Sequence, residues 1–412
     1  MKKLVFLSLV LFGLSACNEI SDEKNEYAEP IIISLTENEQ KLTEAGQILG
    51  FELLSEVMKL DDTGENPVVS PLSLNMALAM VWNGADGETR DSIQKVMGMS
   101  DISQDEVNAY FKKLKETLLK TDPTTKLSIA NSIWARQGFP FKESFYDLNR
   151  QWYDAKVSEL DFASPNAPDI INQWCSDNTN GLIKEMIDYI PADAVMYLMN
   201  ALYFKGSWSD GCGFPASSTK TEKFQTDGGN LIDVQMMSQN SDLLYYSDEN
   251  LSLACLPYGN GAFRMVFILP AGTVESLLET LKQPDYLSRC LFSACTYDLN
   301  LFVPKFKISF DAILNDPLAN LGMGIAFSPY ADFSGISDSP LCISKVKQNT
   351  YIDVNEQGTE AAAVTMIEMK ELAANLPKQA TLRLDRPFLF MIQETSSNTV
   401  LFLGKIGAPE YK

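Results

Sequence analysis

The sequence predicts a mixed α/β domain, and three observations carry that expectation. Apolar residues at helical spacing fall mainly in the first half of the chain, while short apolar or alternating runs typical of strands fall mainly in the second. From about residue 40 to residue 412 there is no internal repeat, no low-complexity stretch and no Pro/Gly/Ser linker, so one large domain is the simpler reading. Hydrophobic residues make up 45% and charged residues 21%, the balance of a globular protein.

Taken in order, residues 42–60 place Ile48, Leu49, Leu53, Leu54, Val57 and Met58 at helical spacing, and Asp61-Asp62-Thr63-Gly64 supplies the stop. A serine opens a second helix over residues 73–81, and a third, amphipathic helix is expected over 101–120. Strands follow. Residues 126–134 alternate, 195–204 are nearly all apolar, and 264–269 form a short run closed by Pro270. Residues 299–303, 350–354, 388–392 and 399–403 continue the pattern, so sheets must collect distant segments.

Residues 1–16 read as a targeting segment. Lys2 and Lys3 precede an apolar run over residues 4–14, too short to span a bilayer. LSAC at residues 14–17 resembles the bacterial lipobox, which implies cleavage before Cys17 and lipidation of its thiol. Several acyl chains would anchor the protein durably, where one would not. The bland alternative is an ordinary signal peptide with a chance cysteine. Residues 17–39 then read as an acidic tether, with Glu19, Asp22, Glu23 and Glu26 close behind the cysteine. Acidic runs in that place resemble surface-export signals of some Gram-negative bacteria. The expected location is therefore outside the cytoplasm, at the outer membrane or cell surface.

A formal charge of −21 argues against nucleic acid or an acidic membrane surface as partner. The chain contains no histidine, which removes Ser-His-Asp and Cys-His catalysis and the His-bearing zinc sites together. Ser92 to Lys95, Ser217 to Lys220 and Ser176-Asp177-Asn178 match fragments of the penicillin-recognising serine enzymes, but the K-T-G or K-S-G that completes that set does not occur. No enzyme activity, cofactor or metal is expected. Cys175, Cys212, Cys255, Cys290, Cys295 and Cys342 are scattered. Six in an exported protein permit disulfides, yet a chain this long does not need them, and free buried thiols are the preferred reading.

Several segments resemble the serpin family, in its order, from Asn66 to Pro409. NPVVSPLS at 66–73 with ALAM at 77–80 and GADGET at 84–89 looks like its first signature, and NALYFKGSW at 200–208 like its second. LPY at 256–258, VPKFK at 303–307, ADFSG at 331–335, RPFLF at 386–390 and LFLGK at 401–405 follow. The resemblance implies one serpin-like domain over residues 40–412, with three β-sheets, eight to nine helices and an exposed reactive loop at about 356–380. It implies a monomer that traps a target protease: the protease cuts the loop, forms an acyl-enzyme, and is dragged across the molecule as the loop inserts into the central sheet. Loop insertion is established behaviour of that family.

EQGTEAAA at 356–363 resembles the hinge of that loop: Glu356, Gly358, Thr359, Glu360, Ala361, Ala362 and Ala363. Side chains alternate faces along a strand. Thr359, Ala361, Ala363, Thr365, Ile367 and Met369 would share one uncharged face, while Glu360, Ala362, Val364, Met366, Glu368 and Lys370 would share the other. Shifting by one residue would bury three charges, so one face suits a core and the other suits solvent. About fourteen inserted residues would carry a tethered protease about 45 Å.

Counting from Gly358 as inhibitory serpins do puts the scissile bond at Leu372-Ala373; counting back from Pro387 gives Leu376, which precedes a proline. Leu372-Ala373 is preferred, with Leu376 and Lys370 as alternatives. A bulky apolar residue there suits elastase-, chymotrypsin- or subtilisin-like proteases. Trypsin-like and papain-like cysteine proteases stay open. By the same resemblance, Ser70, Ser73 and Asn200 match the polar cluster where the central strands part, together with Gln348, where the family often has histidine. Trp208 matches the top of the sheet, and Lys305 with Glu356 a hinge ion pair. The rival reading is a non-inhibitory serpin that acts as a surface binding or scaffold protein.

Overall fold

The computed structural model describes residues 28–60, 65–359 and 378–411. Cys17, the loop segment 360–377 with Leu372, Ala373, Lys370 and Leu376, and the targeting segment all lie outside them.

In chain order the first half holds α1 (Glu37–Val57), β1 (Val68–Val69), α2 (Pro71–Trp82), α3 (Gly87–Val96), α4 (Gln104–Leu118), β2 (Lys126–Arg136), α5 (Glu143–Tyr153), β3 (Lys156–Leu160), α6 (Ala167–Asn178) and β4 (Met196–Ser207). After them come β5 (Lys220–Gln225), β6 (Leu231–Ser247), β7 (Leu251–Tyr258), β8 (Phe263–Pro270), α7 (Val274–Leu281), α8 (Tyr286–Ser293), β9 (Cys295–Pro304), β10 (Phe306–Ile313) and α9 (Asn315–Leu318). The chain closes with β11 (Lys347–Asn355), β12 (Gly358–Thr359), β13 (Lys378–Arg383), β14 (Phe388–Glu394) and β15 (Val400–Ile406).

The first helix starts earlier than expected, because Thr36 and Glu39 form a capping box: the Thr36 side chain accepts from Glu39 N, and Glu39 reaches back to Thr36 N at 2.7 Å. Residues 28–36 ahead of it are held to the domain too. Ala28 O accepts from Asn260 Nδ2 at 2.9 Å, Thr121 Oγ1 donates to Ile31 O at 2.9 Å, and Ile33 N donates to Ser396 Oγ at 2.9 Å. The boundary drawn at residue 40 between tether and domain therefore moves upstream. The second helix also begins early. Ser70, not Ser73, is its N-cap, and Pro71 fills the first turn where a missing N–H costs nothing. Eleven of the twelve residues of α2 are buried, because the helix is wedged between β4 of one sheet and β15 of the other.

Among the described residues the strands pair into two sheets. One has six strands in the order β10-β11-β12-β4-β2-β3, and the other nine, β1-β15-β14-β8-β7-β6-β9-β13 with β5 on β6. The three sheets expected from the family resemblance appear as two ladders because β6 is long. It pairs β5 over Leu231–Met236, β9 over Met236–Tyr245 and β7 over Leu244–Ser247, and so joins two of them. Every residue of β8, β14 and β15 is buried, which is why those segments read as continuous apolar runs rather than as alternation.

Candidate functional site

The six-stranded sheet carries the feature that organises the site. Its strand β12 is two residues long and sits between β11 and β4, antiparallel to both: Gly358 pairs Asn355 and Ser207, and Thr359 pairs Val354 and Gly206. Among the described residues no further strand lies between β4 and β11 below that point.

Glycine is required at 358. Its φ is +147°, and a Cβ there would lie 2.1 Å from Gly206 O and 2.8 Å from Ser207 Cα. The next residue is locked in place. Thr359 is 1% exposed, and its hydroxyl shares a 2.6 Å hydrogen bond with Tyr258. Burial pushes the Tyr258 phenol well above its ordinary range, so it stays a neutral hydroxyl. The Tyr258 ring stacks on Trp208 at 4.5 Å and 18°. Trp208 in turn grips the turn before the hinge, with Nε1 donating to Asn355 O at 3.1 Å and its backbone N to Gln357 O at 2.9 Å.

Glu356 anchors that turn from the other side. Its Oε2 pairs with Lys305 Nζ at 2.9 Å, Oε1 accepts from Thr219 Oγ1 at 2.9 Å, and its carbonyl accepts from Phe214 N at 3.0 Å. Both ionic side chains are 17% exposed. Burial alone would raise the Glu356 carboxyl, but the Lys305 hydrogen bond, the backbone and Thr219 outweigh it and hold the group below its usual range.

Farther down, the gap between β4 and β11 opens into a cleft of about 460 Å³, lined among others by Ser73, Leu78, Phe333, Met199, Asn200 and Gln348. The polar residues expected to act together divide between its walls. On one side Ser70 N donates to Gln348 Oε1 at 2.8 Å, Gln348 Nε2 donates to Ser70 O at 3.0 Å, and Ser70 Oγ donates to Leu401 O at 2.7 Å. The Ser73 N–H reaches Ser70 Oγ at 3.3 Å. On the other, Asn200 Nδ2 donates to Asn131 Oδ1 at 2.6 Å, while Asn200 Oδ1 is buried with no partner. Trp208 and Lys305 stand with the hinge, not with this cluster.

Sequence reasoning missed Tyr258, Thr219 and Asn131. The LPY motif at 256–258 named Tyr258 as a family mark without its task, and nothing local pointed to the other two. The two S-x-x-K stretches and Ser176 fall on separate elements, with Ser92 on α3, Ser176 on α6 and Ser217 in a short turn before β5. None of the six cysteines from Cys175 onward forms a disulfide among the described residues, but only Cys175, Cys255 and Cys290 are buried; Cys212 is half-buried, and Cys295 and Cys342 are exposed. Burial pushes the Cys175 thiol up to about 12, which makes it inert. Among the described residues no cluster of three or more acidic or thiol side chains could hold a metal, and no helix is long and apolar enough to cross a membrane.

The chain is 31% identical over 404 residues to an uncharacterized serpin-like protein of Methanosarcina acetivorans, covering 95% of this chain and 93% of that one. Its structure matches the native state of a thermophilic serpin, tengpin, with a TM-score of 0.80 at 32% identity, over 92% of this chain and 97% of that one. Human thyroxine-binding globulin in complex with its ligand matches with a TM-score of 0.80 at 27% identity, over 91% and 100%. The family model for serpins (serine protease inhibitors) matches residues 44–409, and the chain belongs to that family.

Proposed function

We propose that this serpin is an exported, lipid-anchored suicide inhibitor of serine proteases. Serpins are in general protease inhibitors. The finer reading is that Leu372-Ala373 is cut, that the protease is held as an acyl-enzyme, and that the cleaved loop enters the six-stranded sheet. No catalytic residue of the chain's own is needed.

The observation that carries this reading is the register of β12. Thr359 stands opposite Gly206 on β4 and Val354 on β11. Continued downward, that register sets Ala361 between Phe204 and Ile352, Ala363 between Leu202 and Thr350, and Thr365 between Asn200 and Gln348. On β11 it is Val354, Ile352, Thr350 and Gln348 that are buried, while the residues between them are half-exposed. The uncharged face of the loop would thus enter the core, and Glu360, Glu368 and Lys370 would face out. The cleft at Asn200 and Gln348 is already open where that strand would arrive.

Cys17 as the lipid attachment point, the surface location and the preference for elastase-, chymotrypsin- or subtilisin-like targets complete the proposal. The similarity to human thyroxine-binding globulin, solved with a small ligand, supports the second reading of a non-inhibitory binding protein. Thermal unfolding before and after loop cleavage by subtilisin separates the two. An inhibitor gains a central strand and unfolds at a markedly higher temperature once cleaved. A midpoint that does not rise would favour the binding protein.

A further inference from the structure

The ion pair at the hinge has a third member, supplied by the far end of the chain. After β15 the tail runs back across the top of the six-stranded sheet. Asn66 clamps it: Oδ1 accepts from Gly407 N and Ala408 N at 3.0 Å each, and Nδ2 donates to Ala408 O at 2.6 Å. Lys307 N then donates to Glu410 O at 2.8 Å, which fixes the tail along the start of β10. This delivers the Tyr411 ring onto Lys305, with Nζ 4.2 Å from the ring centroid. Lys305 Nζ is the same atom that pairs with Glu356 at 2.9 Å.

We infer that Tyr411 is a positioning residue of the hinge: its ring fixes the Lys305 ammonium against Glu356, and so keeps the turn at 355–357 and the two residues of β12 seated between β4 and β11. The physical reason is simple. A lysine side chain has four rotatable bonds, and a single carboxylate contact leaves much of that freedom. A second contact, to the ring face, attracts the cation and covers part of the ammonium. Tyr411 stays 40% exposed, so its ring covers the pair from one side only; partial burial and the nearby Asp353 carboxylate raise its phenol, as expected of a ring lying over the end of β11. Glu356 cannot replace that contact from below, because its second oxygen is already taken by Thr219.

The consequence for trapping rests on the inhibitor reading, but the hold on the hinge does not. Two variants and two readouts keep these apart. Tyr411→Ala removes the ring, and Tyr411→Phe keeps it. The direct readout is amide hydrogen exchange at Trp208 and Phe214, whose N–H groups donate to Gln357 O and Glu356 O, and at Thr359. A partly exposed cation–ring contact predicts exchange about two- to five-fold faster in Tyr411→Ala, with wild-type rates restored in Tyr411→Phe. The same pair is then mixed with subtilisin, where Tyr411→Ala should yield more cleaved, untrapped inhibitor per protease bound, and Tyr411→Phe should not. Unchanged exchange at all three amides in Tyr411→Ala would overturn the inference, as would equal acceleration in both variants. Faster exchange in Tyr411→Ala alone, in a protein whose wild type forms no covalent complex, would support the positioning role and sink the inhibitor reading.

Discussion

Asn200 and Gln348 stand on opposite walls of one cleft and do not bond to each other. Asn200, on β4, donates to Asn131, while Gln348, on β11, exchanges two hydrogen bonds with the Ser70 backbone. Asn200 Nδ2 also reaches Met76 Sδ on α2 at 3.9 Å, and Asn200 Oδ1 is buried without a partner. With no hydrogen bond between Asn200 and Gln348 themselves, that arrangement leaves an acceptor for whatever fills the gap.

Filling that gap is the first thing to test. A loop inserted in the register of β12 would bring Thr365 beside both side chains, where its hydroxyl could donate to Asn200 Oδ1. Thr365→Arg should let proteases cut the loop but not trap them, because a guanidinium would have to enter the core unpaired. Glu368→Arg, on the outward face, should trap normally. The ratio of covalent complex to cleaved protein reads both.

Gly358→Ala should unseat the hinge. The new methyl would meet Gly206 O, and the φ of +147° disfavours any side chain. A cost of about 1–3 kcal/mol is expected from strain of this kind, read by denaturant unfolding. Fluorescence of Trp208, which holds the adjoining turn, should shift with it.

Much of this was legible in the sequence because it depends on spacing. Helical spacing over 42–60, alternation over 126–134 and apolar runs at 388–392 and 399–403 survive in α1, β2, β14 and β15. Other parts depend on long-range contacts and left no local mark. Periodicity could not show that Ser70 rather than Ser73 caps α2, because that helix is buried on nearly every side. The merging of two expected sheets through β6 depends on one strand changing partners along its length. Tyr258 and Tyr411 reach the hinge from 101 residues before Thr359 and from the chain's end, and no window of sequence contains both.

Glu356 gives the hinge a defined response to pH. Its carboxyl is held below the usual range in the folded protein, so its contribution is complete above about pH 4.5, its unshifted value, and is lost as pH falls through the lower folded value. The protection of Phe214 N, which donates to Glu356 O, taken against its intrinsic exchange rate at each pH, should therefore fall as pH drops below that point. Glu356→Gln should flatten the dependence. Lys305→Ala, which leaves the carboxylate partly buried and alone, should cost about 1–3 kcal/mol at neutral pH.

With Gln348 where the family often has histidine, the cluster at Ser70 carries no titrating group of its own. Gln348→His should introduce a stability change between about pH 5 and 8 that the wild type lacks. Gln348→Ala should strand the buried Ser70 N–H, while Ser70 O keeps the Leu74 N–H, and should cost about 1–3 kcal/mol, read by thermal or denaturant unfolding.

The most direct test of trapping is denaturing electrophoresis after mixing the protein with elastase, subtilisin and trypsin, with mass spectrometry of the released C-terminal peptide. The predicted result is a covalent band at the summed mass of inhibitor and protease, with a peptide that starts at Ala373. Cleavage within 360–377 by every enzyme, with no covalent band for any, would contradict it.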